Sequence, residues 1–488
     1  MAKLKDILYN VSLRSSSGVM DNTINSLSLD SRQSGPGCLF IAVKGIRVDG
    51  HDYIEQAIQN GATAILCENL PDQISDEVSY AVVIDSMEAM GIVASNFYSN
   101  PSSTLNLTGV TGTNGKTTTV NLLYQLYRNL GYNTGMISTI DIRINDEVIS
   151  STHTTPDAIR LNELMAKMIE KGVTHCFMEV SSHAIDQKRI SGLEYDLAVF
   201  TNITHDHLDY HVTFDAYIEV KKKLFDNLKK NSTALVNIDD KHGRIMVQNT
   251  KADVKTMGLK NPADFKGKII SNTFQGLEFQ INDVIAWFQL SGSFNAYNLL
   301  AAYSIASIHG ENTEEVVSIL SGLKPAPGRF EFIKPESGIH AIIDYAHTPD
   351  ALKNVLGTIS DIRTGNEQVI TVVGCGGNRD LEKRPVMADI ACRYSDKVIL
   401  TSDNPRDEDP DAIIRDMEKG VRPSDFKKTI LLTDRREAIK VACSLAHKED
   451  ILLVAGKGHE PYQEIKGQRI PFDDREILEE MIELVFNN

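Results

Sequence analysis

The chain has 488 residues, of which 42% are hydrophobic and 24% are charged, as in ordinary globular proteins. At about 150 residues per domain, this length predicts about three domains. The formal net charge of −16 argues against a general nucleic-acid-binding protein, which would carry a basic face. An anionic ligand would therefore have to be met by local cations.

The cysteines and the N-terminus indicate where the protein works. None of the six cysteines forms a C-x-x-C pair, so we expect reduced thiols. The first residues, MAKLKDILYNVSL, lack the apolar core and cleavage site of a secretion signal. No stretch is apolar for the length of a membrane span. We therefore expect a cytoplasmic protein without a membrane span.

Residues 1–98 are predicted to form a small α/β domain. Alternating β-type and helix-type patterns carry this prediction. The predicted strands are Cys38–Val43, Ala62–Cys67 and Ala81–Ile84, and the predicted helix is Tyr53–Asn60. Two turn-rich segments, Asp30-Ser-Arg32 and Asp49-Gly-His51, flank the first strand. They are either ordinary loops or the lip of a site for a polar ligand.

Residues 99–327 are predicted to form a nucleotide domain that opens with a strand, a glycine-rich turn and a helix. The strand is Leu105–Val110, and the helix begins near Lys116. Such a turn directs backbone N–H groups and the positive helix end to one point, which suits a polyphosphate. Lys116 would neutralise the outer phosphates, and the Thr117 hydroxyl would reach a phosphate-bound Mg²⁺. Against this, the general pattern requires a glycine where Val110 stands, and a bare Gly-Lys-Thr is often only a turn.

The rest of this domain alternates strands with helix-length segments, which predicts a mostly parallel sheet with helices on both faces. The predicted elements are the strands Gly135–Ile140, His175–Val180, Leu197–Asn202 and Ala234–Ile238 and the helix Ala158–Lys171. Polar clusters begin at Glu179 and at Asn202, where two of the strands end. Ligands of open α/β sheets bind at the carboxyl ends of strands. The clusters therefore predict a ligand site at this edge.

The polar clusters contain candidate metal ligands. A carboxylate after an apolar strand needs a partner, so Glu179 would either ligate Mg²⁺ together with Thr117 or form a salt bridge. Three nearby histidines superficially suggest zinc: His205, His207 and His211. No further ligand pair at zinc-site spacing follows them. A hard cation held by oxygens and one histidine fits better.

Residues 328–488, which begin within the turn-rich joint KPAPGRFE, are predicted to form a second doubly wound domain. Its predicted strands are His340–Ile343, Val369–Val373, Lys397–Leu400, Thr429–Leu432 and Ile451–Val454. Most of them again end in a polar run. The segment Gly374-Cys-Gly-Gly lacks the G-x-G-x-x-G spacing, which argues against an NAD site.

Other cations have two interpretations each. Lys221, Lys222 and Lys223 lie in a stretch with helical periodicity, and such a charge run is usually a solvated face. Arg379 and Arg406 follow strands of the last domain. Their planar guanidinium groups would bind an acidic ligand bidentately, or they are surface charges.

Six motifs together resemble those of the Mur ligase family. They extend from the central to the last domain: Gly112–Thr118, Glu179–His183, Asp206–Asp209, Asn295–Asn298, Gly328–Glu331 and Asp344–His347. The N-terminal turn segments and Gly456–Glu460 resemble the members that add the third residue of the peptidoglycan stem. The resemblance implies an α/β protein with a small N-terminal domain, a P-loop-type ATPase domain and a Rossmann-like C-terminal domain.

The resemblance also implies roles for individual residues. ATP would be bound by Gly112, Thr113, Asn114, Gly115, Lys116, Thr117, Thr118, Asn298, Arg329 and Asp344. Mg²⁺ would be held by Thr117, Glu179, His207 and Lys221, the last as a carbamate, because an ammonium would repel the cation. Lys116, Lys221 and His207 would be catalytic. The UDP-MurNAc-dipeptide would be bound by Ser31, Thr154, Thr155, Ser181, Gln187 and Arg189.

The third amino acid follows from Asp403-Asn-Pro-Arg406, which resembles the form associated with meso-diaminopimelate. This acceptor would be bound by Arg379, Asp403, Asn404, Pro405, Arg406, Gly456 and Glu460. Unlike lysine, it has a distal carboxylate that the two arginines would pair with. The implied activity is an ATP-dependent ligase, working as a monomer, that adds meso-diaminopimelate to UDP-MurNAc-L-Ala-D-Glu through an acyl phosphate. A lysine-adding ligase, a folylpolyglutamate-synthetase-like ligase and a P-loop binding protein remain alternatives.

Overall fold

The computed structural model describes residues 2–45, 48–151 and 153–486, without the side chains of Leu208 and Asp209. Three large sheets, of five, eleven and six strands, follow one another along this part of the chain. The predicted strands and helices occur, with ends that differ by a few residues. The α/β class, with a large and mostly parallel central sheet, is thereby confirmed. The predicted boundaries after residues 98 and 327 fall between elements and stay predictions.

The N-terminal sheet has the order β2-β7-β6-β5-β4 and is parallel except for β2. Helices α1 and α3 cover one face of it and α2 the other. The elements are β1 Ala2–Lys3, α1 Leu4–Ile7, β2 Leu13–Ser17, β3 Thr23–Ile24, β4 Ser26–Ser28, β5 Cys38–Ile41, α2 Ile54–Gln59, β6 Ala64–Cys67, β7 Ser79–Val83 and α3 Ser86–Phe97. The two predicted turn segments open short 3-10 helices, Ser31–Gln33 and Gly50–Tyr53.

The central sheet has the order β11-β10-β9-β12-β8-β13-β14-β15-β16-β17-β18. The neighbouring strands β9, β12, β8, β13, β14, β15 and β16 run parallel. Antiparallel strands extend the sheet at both edges, β10 and β11 at one and β17 and β18 at the other. The strands are β8 Asn106–Thr111, β9 Thr134–Ile137, β10 Asp141–Ile144, β11 Glu147–Ser150, β12 His175–Glu179, β13 Leu197–Phe200, β14 Thr233–Asn237, β15 Asp253–Gly258, β16 Phe265–Thr273, β17 Gly276–Ile281 and β18 Val284–Phe288.

Helices cover both faces of the central sheet, which creates two apolar layers. Helices α4, α10 and α11 pack on one face, and α5 and α8 on the other. The helices are α4 Lys116–Asn129, α5 Ala158–Glu170, α6 Ser182–Asp186, α7 Leu208–His211, α8 Phe214–Asp226, α9 Gly243–Met246, α10 Ser293–Ile308 and α11 Thr313–Gly322. The chain leaves β8 toward β9 and returns later to β13 on its other side. A crevice therefore opens at the carboxyl end of β8.

The C-terminal sheet has the order β19-β20-β24-β21-β22-β23 and is parallel except for β19. Helices α12, α13 and α14 cover one face, and α15 and α16 the other. The elements are β19 Glu331–Ile333, β20 His340–Asp344, α12 Pro349–Ile362, β21 Val369–Cys375, α13 Lys383–Tyr394, β22 Lys397–Ser402, α14 Pro410–Glu418, β23 Thr429–Leu432, α15 Arg435–Leu445, β24 Ile451–Ala455, β25 Tyr462–Ile465, β26 Gln468–Pro471 and α16 Asp474–Phe486. Strands β25 and β26 form a separate hairpin.

Two further expectations concern the whole chain. Each of the six cysteines is unpaired and buried. Within residues 2–45, 48–151 and 153–486, every helix is too short or too polar to cross a membrane.

Candidate active site

A cleft of about 1580 Å³ is lined by residues from the carboxyl edges of both the central and the C-terminal sheets. Most of the predicted site residues line it: Thr113, Asn114, Gly115, Lys116, Thr117, Thr118, Thr154, Thr155, Glu179, Ser181, Arg189, His207, Lys221, Asn298, Arg329, Asp344, Arg379, Asp403, Asn404, Arg406, Gly456 and Glu460. Four others are not among the lining residues: Ser31, Gly112, Gln187 and Pro405. The fold thus brings residues of three predicted sites, for ATP, the sugar dipeptide and the acceptor, to one cleft.

The glycine-rich turn after β8 is shaped by close contacts. Gly112 has φ of 151°, and a Cβ there would lie 2.0 Å from Thr201 Oγ1. Gly115, with φ of 89°, precedes helix α4, and a Cβ there would lie 2.5 Å from Asn298 Oδ1. Only glycine meets both requirements, since φ is positive and no space is left for a side chain. The backbone of the turn is therefore free to approach an anion.

Lys116 folds back over this turn. Its Nζ donates to Gly112 O at 2.9 Å and to Thr113 O at 2.8 Å. Burial lowers the pKa of Lys116, partly offset by the attraction of Glu179 and Asp206. The ammonium therefore lies at the mouth of the turn, where phosphate oxygens bound to helix α4 would reach it.

Glu179 and Thr117 carry two of the oxygens that the sequence predicts as metal ligands. Glu179 is 1% exposed, and its carboxylate accepts from Thr139 N at 2.7 Å. Within the described residues, Thr139 provides its only hydrogen bonds, and no lysine or arginine pairs with it. Thr117 is also buried, and its hydroxyl oxygen lies 3.2 Å from Arg329 Nη2. A buried carboxylate without an ion pair fits a cation better than the alternative of a salt bridge.

Lys221 of helix α8 points into the same region. It is 1% exposed, and its Nζ donates to Gly112 O at 2.9 Å. The Nζ also lies 4.8 Å from the centre of the Tyr217 ring. Burial and the nearby Lys116 hold the pKa of Lys221 well below its usual range. The solvated-face interpretation is wrong for Lys221, because the lysine faces the turn and not solvent.

The loop that follows β13 carries His207. This residue has φ of 55°, in the left-handed region, and its N–H donates to Asp206 Oδ1 at 2.9 Å. Its ring lies edge-on to His183, with 4.8 Å between centroids. No group of three histidine, cysteine, aspartate or glutamate side chains shaped for a metal occurs among the described residues.

Arg329 and Asp344 bring the joint and the C-terminal sheet onto the turn. Arg329 stacks on Tyr345, with 4.5 Å from its guanidinium carbon to the ring centre, while its Nη2 reaches Thr117. Asp344 accepts from Phe330 N at 2.6 Å and from Ala346 N at 2.7 Å. Burial raises the pKa of Asp344 to about 6, although Arg329 opposes the shift. Asp344 therefore fixes the backbone that presents Arg329.

The residues predicted to bind the sugar dipeptide fall in two places. Arg189 donates to Gln187 Oε1 at 2.6 Å and to Thr155 O at 2.8 Å. The Thr155 hydroxyl in turn accepts from Ser181 N at 3.2 Å, at the start of helix α6. Thr154 Oγ1 lies 3.0 Å from Thr139 Oγ1. Ser31, in contrast, donates to Gln56 Oε1 at 2.7 Å within the N-terminal domain.

The acceptor residues meet at the carboxyl ends of β21, β22 and β24. Arg406 donates from Nη1 to Gly377 O at 2.8 Å, and its Nε lies 3.3 Å from Glu464 Oε2. Asn404 donates to Glu460 Oε2 at 2.7 Å. Burial raises the pKa of Glu460, and the neighbouring Asp403 raises it further. In this part of the cleft, the Arg406 guanidinium, which lies close to Glu464, is found beside the carboxyl groups of Asp403 and Glu460.

The other acceptor residues are placed around this cluster. The side chains of Arg379 and Arg406 flank Gly376, where a Cβ would lie 2.9 Å from Arg406 Nη1. Gly456 has φ of 118°, and a Cβ there would meet Asp403 Oδ2 at 2.7 Å. The carbonyl of Pro405 closely approaches Gly377. Arg379 is exposed but lines the cleft.

Three residues of the site escaped the sequence interpretation. Thr139, which holds Glu179, follows a strand, and that position could have identified it. Tyr217 lies beneath Lys221 and contacts Thr113 Oγ1 at 3.1 Å. Lys457, fully buried, contacts Asn404 Oδ1 at 3.2 Å and Glu460 Oε2 at 3.3 Å. It lies inside the Gly456–Glu460 motif, so its position in this motif could have identified it.

The fold and the cleft define a phosphate-loop protein whose C-terminal sheet presents a second site to the loop. Comparison with known proteins agrees with this class. The Mur ligase family catalytic domain matches residues 23–98, the Mur ligase middle domain residues 110–306, and the Mur ligase glutamate ligase domain residues 328–458.

Individual relatives are similar over nearly the whole chain. The UDP-N-acetylmuramoyl-L-alanyl-D-glutamate–2,6-diaminopimelate ligase of Cytophaga hutchinsonii is 58% identical, over 99% of both chains. The ligase of the same name from Bacteroides fragilis is 52% identical, again over 99% of both. A solved structure of a ligase of this name has 32% identity and a TM-score of 0.70, over 99% of both chains. The chain belongs to the Mur ligase family of ATP-dependent ligases.

Proposed function

We propose that this chain adds meso-diaminopimelate to UDP-MurNAc-L-Ala-D-Glu with consumption of ATP, in peptidoglycan precursor synthesis. One observation carries the proposal: a phosphate-binding turn and an arginine-containing acidic cluster line the same cleft. A reaction that activates a carboxylate with ATP and then joins an amine to it needs a phosphate-binding turn and a nearby binding site for the amine. The names of the full-length relatives support the same substrates.

The reaction begins with phosphoryl transfer. A carboxylate oxygen of the D-glutamate attacks the γ-phosphorus of ATP, which gives an acyl phosphate and releases ADP. Such a transfer depends on positioning and on neutralising charge. Lys116, the N–H groups of the turn and Arg329 surround the place where the phosphates would bind. These residues would hold ATP, and Asn298, packed under Gly115, would support the nucleotide side.

Mg²⁺ fits this site through Thr117, Glu179, His207 and Lys221 as a carbamate. The fit rests on the unpaired, buried carboxylate of Glu179 beside the turn. When bound, the cation would neutralise the phosphate oxygens and so favour attack by a second anion. Carbamylation of Lys221 would need the neutral amine, which the lowered pKa of this residue supplies.

The second step joins the amine. The free amine of diaminopimelate attacks the acyl carbon, and the tetrahedral intermediate collapses to the amide and inorganic phosphate. Arg406 would pair with the distal carboxylate, while Glu460 and Asp403 lie where an ammonium would be held. Because the cleft is lined by two domains, their approach would exclude water that would otherwise hydrolyse the acyl phosphate.

The proposal extends to the setting of the reaction. We propose that the protein works as a monomer, since the central and C-terminal sheets of this chain together line the cleft. We place the reaction in the cytoplasm, where ATP is available, and the net charge of −16 agrees with small-molecule substrates and not nucleic acid.

The test is phosphate release with ATP, Mg²⁺ and UDP-MurNAc-L-Ala-D-Glu, comparing meso-diaminopimelate with L-lysine. We expect a strong preference for diaminopimelate. Arg406→Ala should lower kcat/KM for diaminopimelate by about tenfold to a hundredfold, the loss of a charged hydrogen-bonded pair. The exposed Arg415→Ala in the same domain is the control and should be neutral. Preference for lysine would retain the ligase and reject the role of Arg406, whereas no turnover with either would reject the ligase.

A further inference from the structure

Asp350 connects the C-terminal domain to the phosphate-binding turn. It lies in the first turn of helix α12, after the strand that carries Asp344. Its Oδ2 accepts from Asn114 Nδ2 at 2.9 Å and from Thr204 Oγ1 at 3.0 Å, both on the central domain. Asn354 of its own helix donates to the same oxygen at 3.1 Å. One carboxylate oxygen therefore collects two hydrogen bonds from another domain.

Both partners on the central domain are held firmly. Asn114 N donates to Asn202 Oδ1 at 3.0 Å, and Asn114 O accepts from Thr201 Oγ1 at 2.7 Å. Thr204 N donates to Thr113 Oγ1 at 3.0 Å. The backbone at Asn114 and at Thr204 is thus anchored by the turn and by the loop after β13. The side chains of these two residues donate to the same oxygen, Asp350 Oδ2, where an acceptor is required.

We propose that Asp350 is a positioning residue that couples the approach of the C-terminal domain to the geometry of the phosphate-binding turn. Arg329 touches the turn at Thr117, on the helix side. Asp350 touches it at Asn114, before the helix begins. The turn is thereby held against the C-terminal domain from both ends, and these contacts form only when that domain is seated. Asp350 would not touch the reacting atoms; with the C-terminal domain seated, it would hold the turn in the geometry that binds ATP.

The chemistry of Asp350 suits a reversible contact. It is half-buried, so its carboxylate returns to water at moderate cost when the domains separate. Hydrogen bonds to a charged acceptor are stronger than neutral ones. Its position in the first turn of α12 also favours a negative charge. These properties give a contact strong enough to bias closure and weak enough to release product.

The kinetic test uses Asp350→Ala with Asp361→Ala as the matched control. Asp361 is an exposed aspartate of the same helix, away from the turn. We expect Asp350→Ala to lower kcat/KM for ATP by at least about tenfold, because the loss of even one of its two hydrogen bonds from the central domain to a charged group costs this much. The KM for ATP should rise, while the KM for the UDP-sugar dipeptide stays unchanged. A merely destabilised protein would lose active fraction, so kcat would fall and every KM would stay.

Two further variants make the test specific. Asp350→Asn keeps an acceptor oxygen and should recover part of the loss. Thr204→Val removes one donor, so the double variant with Asp350→Ala should be less impaired than the product of the two single effects. Effects that multiply would show that the two side chains are not coupled, and the proposal would be rejected. The same rejection follows if Asp350→Ala behaves like Asp361→Ala.

The kinetic arm rests on the proposed function, so a second arm needs nucleotide binding alone. Small-angle scattering with Mg²⁺ and a non-hydrolysable ATP analogue should show compaction of the unmodified protein and of Asp361→Ala. Asp350→Ala should compact less at a saturating analogue concentration. Equal compaction in all three would overturn the coupling. An inactive protein with intact, Asp350-dependent compaction would instead reject the ligase assignment and leave the coupling in place.

Discussion

Arg435 and Asp474 form an ion pair from which water is excluded, since both side chains are 0% exposed. Arg435 donates from Nε to Asp474 Oδ1 at 2.8 Å and from Nη2 to Oδ2 at 2.7 Å. Its remaining donors reach Ala455 O at 3.0 Å and Ser402 O at 3.4 Å. We expect Asp474→Ala to lower the free energy of unfolding of the C-terminal domain by about 3–5 kcal/mol, because the guanidinium stays buried without its counter-charge.

Native-state hydrogen exchange is the suitable assay, because it reports the stability of each domain separately. Amides of β22 and β24 should exchange faster in Asp474→Ala, while those of the central sheet keep their rates. The double variant Arg435→Met/Asp474→Leu should recover most of the loss, since apolar residues of similar volume replace a buried pair at little cost. The control is Arg436→Ala, which breaks an exposed pair with Glu480 worth at most about 1 kcal/mol. Equal effects of Asp474→Ala and Arg436→Ala would refute the argument from burial.

Two more predictions concern Lys221 and His309. Lys221→Ala should abolish ligation, and acetate should restore part of the activity by supplying the missing carboxylate. The control is Lys223→Ala, which changes an exposed residue and should stay active. Activity of Lys221→Ala without acetate would exclude the carbamate. Burial lowers the pKa of His309 from 6.5 to about 4, so the unfolded chain binds the proton first and stability should fall as the pH drops through this interval. His309→Phe should lose less stability over the same interval in acid unfolding curves, and an unchanged pH slope would contradict this.

The sequence predicted the parallel strands well and the hairpins poorly. Runs such as His175–Glu179 are buried on both faces, so their continuous apolar pattern is easily recognised. In the hairpin of β10 and β11, β11 alternates between intermediate and exposed positions, and the turn at Asn145, with φ of 52°, marks the hairpin. The long strand β16 is mostly intermediate in burial, with Lys268 and Ile270 exposed, so it shows no clear period of two. Strands that are not buried on both faces therefore left weaker signals than fully buried ones.

The sequence predicted residues that line the cleft where these residues follow one another in sequence. The turn from Gly112 to Lys116 and the run from Asp403 to Arg406 each place several candidate binding residues through local geometry. Asp350 could not be assigned in this way, because its role depends on Asn114, 236 positions away, across a domain contact. Arg435 and Asp474 likewise lie on separate helices, 39 positions apart. Sequence patterns identify strand ends, whereas the contacts between them require the packed domains.

The arrangement of the two lysines at Gly112 explains why one of them would be modified. Lys116 and Lys221 both donate to Gly112 O, each at 2.9 Å, so two ammonium groups would share one oxygen in a desolvated site. Two ammonium groups bound to the same oxygen repel each other, and burial disfavours each charge. The neutral form of one lysine removes the repulsion and one of the buried charges. Lys221 is the more deeply enclosed of the two and has the strongly lowered pKa.

The neutral amine of Lys221 is the form that reacts with carbon dioxide. The carbamate nitrogen keeps one N–H, which suffices for the hydrogen bond to Gly112 O. The added carboxylate reverses the sign of the charge, so the repulsion of Lys116 becomes an attraction. It also adds an oxygen ligand beside the turn, where Mg²⁺ and the phosphates would bind. The fold would thus favour modification of Lys221, and not of Lys116 or the exposed Lys223, because burial and the nearby Lys116 disfavour the charged form of its amine.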